Sequence, residues 1–487
     1  MKTGNTGRCN FPGAFCFLFI FALAFEFSCV KKPPIAFPAN SRAGQGPAEI
    51  FKDDFPFYVS EKTEDPELLT PKARTGCKVK VLGDGAENFA LRDSVMEKAQ
   101  KSLEVQTYIF ADDEIGRRTF ELMRAKNKQG IKTRLIIDTG AKFGKKSREF
   151  FDEIKGSGVE LAGYEPKWKS FFSPNYIPSA TEMDMRYHEK YLVVDNAVGI
   201  VGGTNIAEEY AGMDSKKEKA VRDQDVLLTG PVVDDMRRAF AQNFRDIKYL
   251  EGSRPVFIRK LFKTDAKVPD NDIASRPVDS DDRFEIKNFT DEDATARLIR
   301  SRPKYGETYI YQSYIYLLNS ARKNVLILNS YYIPDKTLND AVINAARRGV
   351  KVSMVIDVGK AKDALQIQPV ITRHYYQPLV DAGVNVYEWQ STLRGGGALH
   401  AKVAVFDDRV SIIGSYNLDP RCKLLNTENV VVMDSEKVAG ALTEYIHEKD
   451  LPNSELVSAE KAKQYRYPKQ PWALIRLSWA MVIKDHW

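Results

Sequence analysis

A duplication constrains this chain more than any other feature. His188 and Lys190 are followed by Asp195, Gly202 and Asn205, and His400 and Lys402 by Asp407, Gly414 and Asn417. Both copies read His-x-Lys, four residues, Asp, six residues, then Gly-x-x-Asn, and two of the chain's five histidines hold the same place in it. The likeness reaches further back. LEVQTYIF answers VLILNSYYI, and GIKTRLIIDTGAK answers GVKVSMVIDVGKAK. A whole folding unit is repeated.

The hydrophobic periods place that unit among α/β folds. Val79–Leu82, Leu103–Phe110 and Thr133–Ile137 read as strands in the first half, and Glu87–Ser102 and Ile115–Lys128 as helices. Gly130 ends the second helix and Asp138 closes the last strand. The second half repeats the order, with helices over Tyr309–Ala321 and Leu338–Arg348. Its strands are Asn324–Asn329 and Lys351–Ile356, the latter closed by Asp357. Strands alternating with helices predict parallel or mixed sheets covered by helices, in two tandem domains over 79–262 and 305–452. The charged, proline-containing stretch 263–304 between them reads as a linker or surface excursion.

At 487 residues there is length for two cores. The formal charge of +6 suits an anionic surface without demanding one. Lys2 and Arg8 precede an apolar run from Phe11 to Phe25, so residues 1–28 read as a signal peptide or membrane anchor. Cys29 stands where a lipid-bearing cysteine would, although Glu26 and Phe27 fit such a signal poorly. An uncleaved anchor is the alternative. Residues 29–78 read as a tether and irregular segment. The basic-aromatic stretch 453–487, with Tyr465, Trp472, Trp479 and Trp487, is too short to span a bilayer and suits a lipid–water interface, or else a helix docked on the core. Cys77 and Cys422, the cysteines outside the leader, make neither a disulfide framework nor a zinc pattern.

On a strand, His400 and Lys402 face one side, as do His188 and Lys190. Lysine supplies positive charge, and histidine can attack or move a proton. Asn205 and Asn417 add amide donors for phosphoryl oxygens. Two such half-sites facing each other would hold one phosphoryl group. One imidazole would attack phosphorus and the other protonate the leaving alkoxide, with no metal or other cofactor required. Asp195 and Asp407 either orient the site or hold the turn after the strand. His374 either lines an acceptor pocket or is structural. Tyr108, Tyr331 and Tyr332 close strands at the expected active-site edge, where core packing is the other reading.

These residues resemble the phospholipase D superfamily and, more narrowly, bacterial cardiolipin synthases. YIFADDEIG, IVGGTNIAEEY, RDQDVLLTGPVV and GSYNLDPRCKLLNTE carry the narrower likeness. The resemblance implies tandem phospholipase D-like repeats related by a pseudo-twofold, with the active site between them. It implies catalytic roles for His188, Lys190, Asp195, His400, Lys402 and Asp407, with His188 the nucleophile and His400 the acid and base. It also implies an acidic residue holding the far nitrogen of each histidine, at Asp223 and Glu428, with Asp225 the fallback for Asp223. An attacking imidazole needs that N–H held in any case. Glu428, in the same half as His400, is the expected support for His400. Gly203, where the second copy has Ser415, is usual in the first motif of these synthases. Cys422 departs from the commoner serine and has no assigned role.

The expected function is therefore phosphatidyl transfer through a phosphohistidine. The substrates would be phosphatidylglycerol and a second phospholipid such as phosphatidylethanolamine, met at a membrane on the exported side of a bacterial envelope. One chain carries both motifs, so a monomer is expected, and nucleic acid is not an expected partner. Hydrolysis by the same residues is the principal alternative, because water exclusion cannot be read from sequence. A nuclease and a catalytically dead lipid-binding protein are weaker readings. Nucleases of the superfamily are often one-motif chains, and intact motifs argue against a dead protein.

Overall fold

The computed structural model describes residues 46–47, 72–139, 145–164, 185–212, 220–252, 282–359, 367–390 and 397–466. These belong to one compact unit, Ala39–Trp487. The expected leader, Cys29, most of the tether, residues 263–281 and the tail from 467 onward lie outside the described residues.

The first half runs β1 (Arg74–Leu82), α1 (Gly85–Glu97), β2 (Ser102–Thr107), α2 (Glu114–Lys128), β3 (Lys132–Asp138), α3 (Lys145–Lys155), β4 (Glu160–Tyr164), β5 (Tyr191–Val194), β6 (Val198–Gly202), β7 (Asp225–Thr229) and α4 (Val232–Gly252). The second runs β8 (Asp291–Ser301), α5 (Tyr309–Ser320), β9 (Asn324–Asn329), α6 (Lys336–Arg347), β10 (Lys351–Ile356), α7 (Ile367–His374), α8 (Tyr376–Asp381), β11 (Asn385–Trp389), β12 (Lys402–Phe406), β13 (Val410–Gly414), α9 (Pro420–Leu424), β14 (Glu428–Asp434), α10 (Glu436–Tyr445), β15 (Ser454–Leu456) and α11 (Ala459–Arg466).

The fifteen strands among the described residues join one mixed sheet, ordered β15-β11-β10-β9-β12-β13-β14-β8-β1-β7-β6-β5-β2-β3-β4. Read outward from the central β8–β1 pair, the two halves match strand for strand until β15 extends one edge. The β8–β1 pairing is antiparallel, as a twofold between them requires. Within each half the outer trio is parallel and the strands next to it antiparallel.

Strand alternation divides the core. Leu192 and Val194 of β5 enter one apolar cluster, and Tyr191 and Val193 the cluster on the opposite face. The helices start where short polar side chains can cap them. Asp113 accepts from Gly116 N, and its counterpart Asp335 from Leu338 N. Gly130 and Gly349, at φ of 80° and 89°, turn the chain after α2 and α6, a conformation that suits glycine.

Two expectations change. The linker 263–304 contains β8, a central strand. Its charges masked it: Arg297 and Arg300 are buried, and Arg300 is bonded to Glu189, Gln242 and Asn243. Two separate sheets are thereby joined into one. Of the stretch 453–487 expected at a membrane interface, the described part packs on the body. β15 pairs with β11, and the Tyr465 ring lies 6.1 Å from Tyr376 with Arg373 stacked on it at 4.6 Å. No helix among the described residues is long and apolar enough to cross a membrane.

Candidate active site

Each histidine sits just before a strand, on backbone tied to the other half. Leu399 bridges Arg222, and Tyr187 bridges Thr427, in parallel. His400 N donates to Arg222 O at 2.8 Å, and His188 N to Thr427 O at 3.0 Å. Arg222 and Thr427 immediately precede Asp223 and Glu428. The carboxylates are thus delivered across the pseudo-twofold.

The side chains follow. His188 Nδ1 lies 2.9 Å from Glu428 Oε2, and His400 Nδ1 lies 2.6 Å from Asp223 Oδ2. The expected support of His400 by Glu428 is corrected: each acid holds the histidine of the opposite repeat. With Nδ1–H donated to a carboxylate, Nε2 of each ring keeps its lone pair. The fallback Asp225 is engaged elsewhere. It accepts from Asn88 and Arg92 of α1 and from Thr204 N.

Burial and mutual repulsion set the charges. Lys190 and Lys402 are 2% and 1% exposed. Burial lowers each ammonium to about 8; Glu428 opposes this at Lys190 while Lys402 adds to it, and Asp223 and Glu428 oppose it at Lys402. Burial first, then Lys190 and Lys402, depresses His188 well below the usual imidazole range. Burial and Lys402 lower His400 to about 4. Both rings are therefore neutral near pH 7. Burial raises Glu428 to about 6, against Lys190. For Asp223 burial pushes upward, but His400 and Lys402 outweigh it and leave the carboxyl below its ordinary value.

The surroundings of the two histidines differ. Tyr108 meets the His188 ring edge-on at 4.9 Å, and Lys190 stands over the Tyr108 face at 5.7 Å. Opposite it, Lys402 donates to Ser330 at 2.9 Å. Strand register makes Ser330 the counterpart of Tyr108, because Phe110 bridges Ile206 as Tyr332 bridges Leu418. Tyr210 meets the His400 ring at 5.4 Å and takes a 2.8 Å bond from Asn205 Nδ2. Its counterpart, also five residues after the motif asparagine, is Cys422. That thiol donates to Glu428 Oε1 at 2.9 Å. Ser415 Oγ donates to Glu428 Oε2 at 2.5 Å. At the matching Gly203 a Cβ would come 2.1 Å from Asp223 Oδ1, so the shorter carboxylate lies where a side chain would be.

For Asp195 and Asp407 the contacts match the turn-holding one of the two expected roles. They stand at the far ends of β5 and β12, roughly 16 Å of extended chain beyond the lysines. Each is the first of two central turn residues with positive φ, Asp195 and Asn196 at 54° and 57° and Asp407 and Asp408 at 52° and 56°. Asp195 accepts from the backbone N–H of Gln100, Lys101 and Ser102. Asp407 does the same for Arg322, Lys323 and Asn324. Asn205 fixes the site wall, accepting from Ile109 N at 3.1 Å besides bonding Tyr210. Asn417 is buried, with its N–H on Cys422 Sγ at 3.3 Å. His374 ends α7, its ring against Tyr375. Tyr332 is core, whereas Tyr108 belongs to the site.

Sequence reasoning missed Tyr210, Ser330, Ser415 and Arg222, and left Cys422 without a role. Equal offsets from the motif asparagine could have paired Tyr210 with Cys422. His188, Cys422 and Glu428 also offer ligand atoms within 4.8 Å of one another. Those atoms already satisfy each other, and the neighbouring Lys190, Lys402 and Arg421 disfavour an added cation.

The family model "Cardiolipin synthase, PLD-like domain" matches residues 91–244 and 314–450, more than half of the chain. The chain belongs to the cardiolipin synthase, PLD-like domain family. It is an enzyme of the phospholipase D superfamily. It is 27% identical over 385 residues to cardiolipin synthase of Geobacillus kaustophilus, covering 79% of this chain and 68% of that one. It is 28% identical over 362 residues to cardiolipin synthase B of Escherichia coli K12, covering 74% of this chain and 78% of the relative. The fold is similar to that of phosphatidylserine synthase from Haemophilus influenzae, with a TM-score of 0.58, 15% identity and coverage of 84% and 95% of the two chains.

Proposed function

We propose that this PLD-like enzyme is a phosphatidyltransferase that makes cardiolipin from phosphatidylglycerol and a second phospholipid, through a covalent phosphohistidine. The observation that carries the reading is the facing pair of His–carboxylate couples with two buried lysines between them. His188 Nε2 attacks phosphorus and the bond to the headgroup oxygen breaks. His400 hands its proton to the departing alkoxide. An acceptor hydroxyl then gives a proton to His400 and attacks phosphorus, and the nitrogen–phosphorus bond breaks. Lys190 and Lys402 neutralise the non-bridging oxygens, and the second amide N–H of Asn205 and the amide of Asn417 complete the cradle.

His400 must be protonated to act first. A bound phosphodiester anion between the lysines offsets their repulsion and raises the imidazole toward neutrality. Glu428 and Asp223 keep each Nδ1–H in place and stabilise the imidazolium when it forms. Both half-sites come from one chain, which supports a monomer. A lipid substrate supports action at a membrane surface, and the basic and apolar run Lys2 to Phe25 supports the exported side of a bacterial envelope.

The test uses vesicles of phosphatidylglycerol with and without phosphatidylethanolamine, with products read by mass spectrometry. Cardiolipin is expected. Phosphatidic acid without cardiolipin would replace this reading with hydrolysis by the same residues.

A further inference from the structure

Arg222 immediately precedes Asp223, and it does what its counterpart Thr427 does plus more. Its carbonyl accepts from His400 N at 2.8 Å and from Ala401 N at 3.2 Å, and its N–H donates to Ala398 O at 2.9 Å. Its guanidinium then grips three things. Nε and one terminal nitrogen reach the two oxygens of Asp450 at 2.9 and 3.0 Å. The same terminal nitrogen reaches Gln224 at 3.1 Å, and the other donates to the Asp223 carbonyl. The flat face stacks 4.4 Å from the Tyr445 ring, whose hydroxyl is anchored on Gly83 O at 3.0 Å.

Asp450 is fully buried and stands at the end of a π-helical turn, Ile446–Asp450, that follows α10. A π turn rotates the residues after it relative to a continuing α-helix, and it is a common device for aiming one side chain. A bidentate arginine–carboxylate pair fixes a plane as well as a distance. Thr427, the residue at the same place on the His188 side, cannot make such a pair.

We propose that Arg222 and Asp450 form a clamp that positions the Asp223–His400 couple, making the segment after α10 a control on the acid/base half of the reaction although it does not touch substrate. The inference rests on the division of roles proposed above. Arg222 holds both the backbone of the acid and the backbone of the histidine. Loosening it displaces Nε2 of His400 relative to the headgroup oxygen and leaves the His188–Glu428 couple in place.

The test compares two leaving groups. A lipid headgroup alkoxide needs a proton from His400, whereas p-nitrophenolate leaves without one. The double variant Arg222→Met/Asp450→Leu leaves no buried charge unpaired and is expected to fold. Arg222→Lys keeps the charge and loses the fork. For folded protein, the double variant is expected to lose kcat for cardiolipin formation on the order of 10²-fold, with KM changed less than about threefold. The single-turnover burst of p-nitrophenolate from bis(p-nitrophenyl) phosphate should stay within about threefold of wild type. Arg222→Lys should fall between. Equal losses on both substrates, or none beyond the folded fraction, would overturn the clamp. His400→Ala is the control. If it shows the leaving-group dependence and the clamp variants do not, the clamp alone fails. If His400→Ala does not show it, the role assignment fails and the clamp with it.

Discussion

The His188 and His400 halves share a backbone frame and differ in nearly every side chain around it. Each histidine is hydrogen-bonded through its main chain to the residue before the opposite acid, and through Nδ1 to that acid. Around this frame, Tyr108 corresponds to Ser330, Tyr210 to Cys422, Gly203 to Ser415, and Arg222 to Thr427. The residue between motif histidine and lysine is Glu189 in one half, paired with Arg300, and Ala401 in the other. Glu428 is surrounded by donors from Ser415, Cys422 and Asn426, while Asp223 has Gln224 N and a neighbouring arginine. Duplication supplied two matched imidazoles. Divergence gave each an aromatic neighbour from a different place in its repeat, Tyr108 for His188 and Tyr210 for His400, and left one acid multiply bonded and the other beside a salt bridge. A reaction with one nucleophile and one proton shuttle needs that inequality.

Removing each imidazole in turn should have the largest effect. His188→Ala should abolish turnover of every substrate, a loss on the order of 10³-fold or more. His400→Ala should be as damaging with lipid substrates, yet with bis(p-nitrophenyl) phosphate it should still release one p-nitrophenolate and trap the p-nitrophenyl phosphoryl group on His188. Peptide mapping of the quenched protein reads the trapped group. A phosphohistidine at position 400 in His188→Ala would reverse the assignment.

Removing the acids asks the same question more gently. Glu428→Gln and Asp223→Asn keep shape and lose the charge that holds the tautomer, with losses on the order of 10²–10⁴-fold in kcat. Glu428→Gln should slow both classes of leaving group. Asp223→Asn should slow lipids and spare p-nitrophenolate. The crossed pairing makes this informative. Were each acid to serve its own repeat, the two patterns would exchange.

The frame was largely legible in the sequence, because the repeat is long and strongly periodic. Strands β9 and β10 and helices α2, α5 and α6 lie within a residue or two of their expected ends. β8 was not legible, because a strand that buries Arg297 and Arg300 does not look apolar until Glu189, Gln242 and Asn243 are brought to Arg300. The motif residues were legible as a set, since spacing alone marked them. Their pairing was not. Spacing suggests that Glu428 serves the histidine nearest in sequence, and only the bridges Leu399–Arg222 and Tyr187–Thr427 reverse that.

A smaller effect should appear on the alkaline side. Both lysines lie at about 8, well below the usual 10.5. Activity should decline as pH rises through 8, when the cradle loses charge. Stability should move the other way. The unfolded lysines bind more protons than the folded ones between pH 8 and 10.5, so their contribution to stability rises with pH across that window. A loss of kcat/KM above pH 8 with unchanged or higher Tm supports the lysine cradle, and a parallel fall in Tm would assign the loss to unfolding. Bound phosphodiester raises both lysines, so the kcat limb should lie at higher pH than the kcat/KM limb.

The smallest effect on activity is expected where the motif looks most catalytic. Asp195 and Asp407 recur at the same spacing as the histidines and lysines, and that recurrence alone invites a chemical role. Their carboxylates instead collect three backbone N–H groups each at the closed end of the β5–β6 and β12–β13 hairpins. Asp195 also pairs with Arg283 at 2.9 Å, which its counterpart has no matching arginine distance to repeat among the described ion pairs. Asp195→Ala should lower stability by about 1–2 kcal/mol, read by denaturant unfolding, because part-buried donors lose their partner, and Asp407→Ala by less, because water reaches its donors. Asp195→Ala should be the more damaging. In folded protein kcat should stay within about twofold of wild type. A repeat copies the scaffold along with the chemistry, and unchanged turnover would assign these two aspartates to the scaffold. A large loss of kcat at unchanged stability in either variant would return them to the active site.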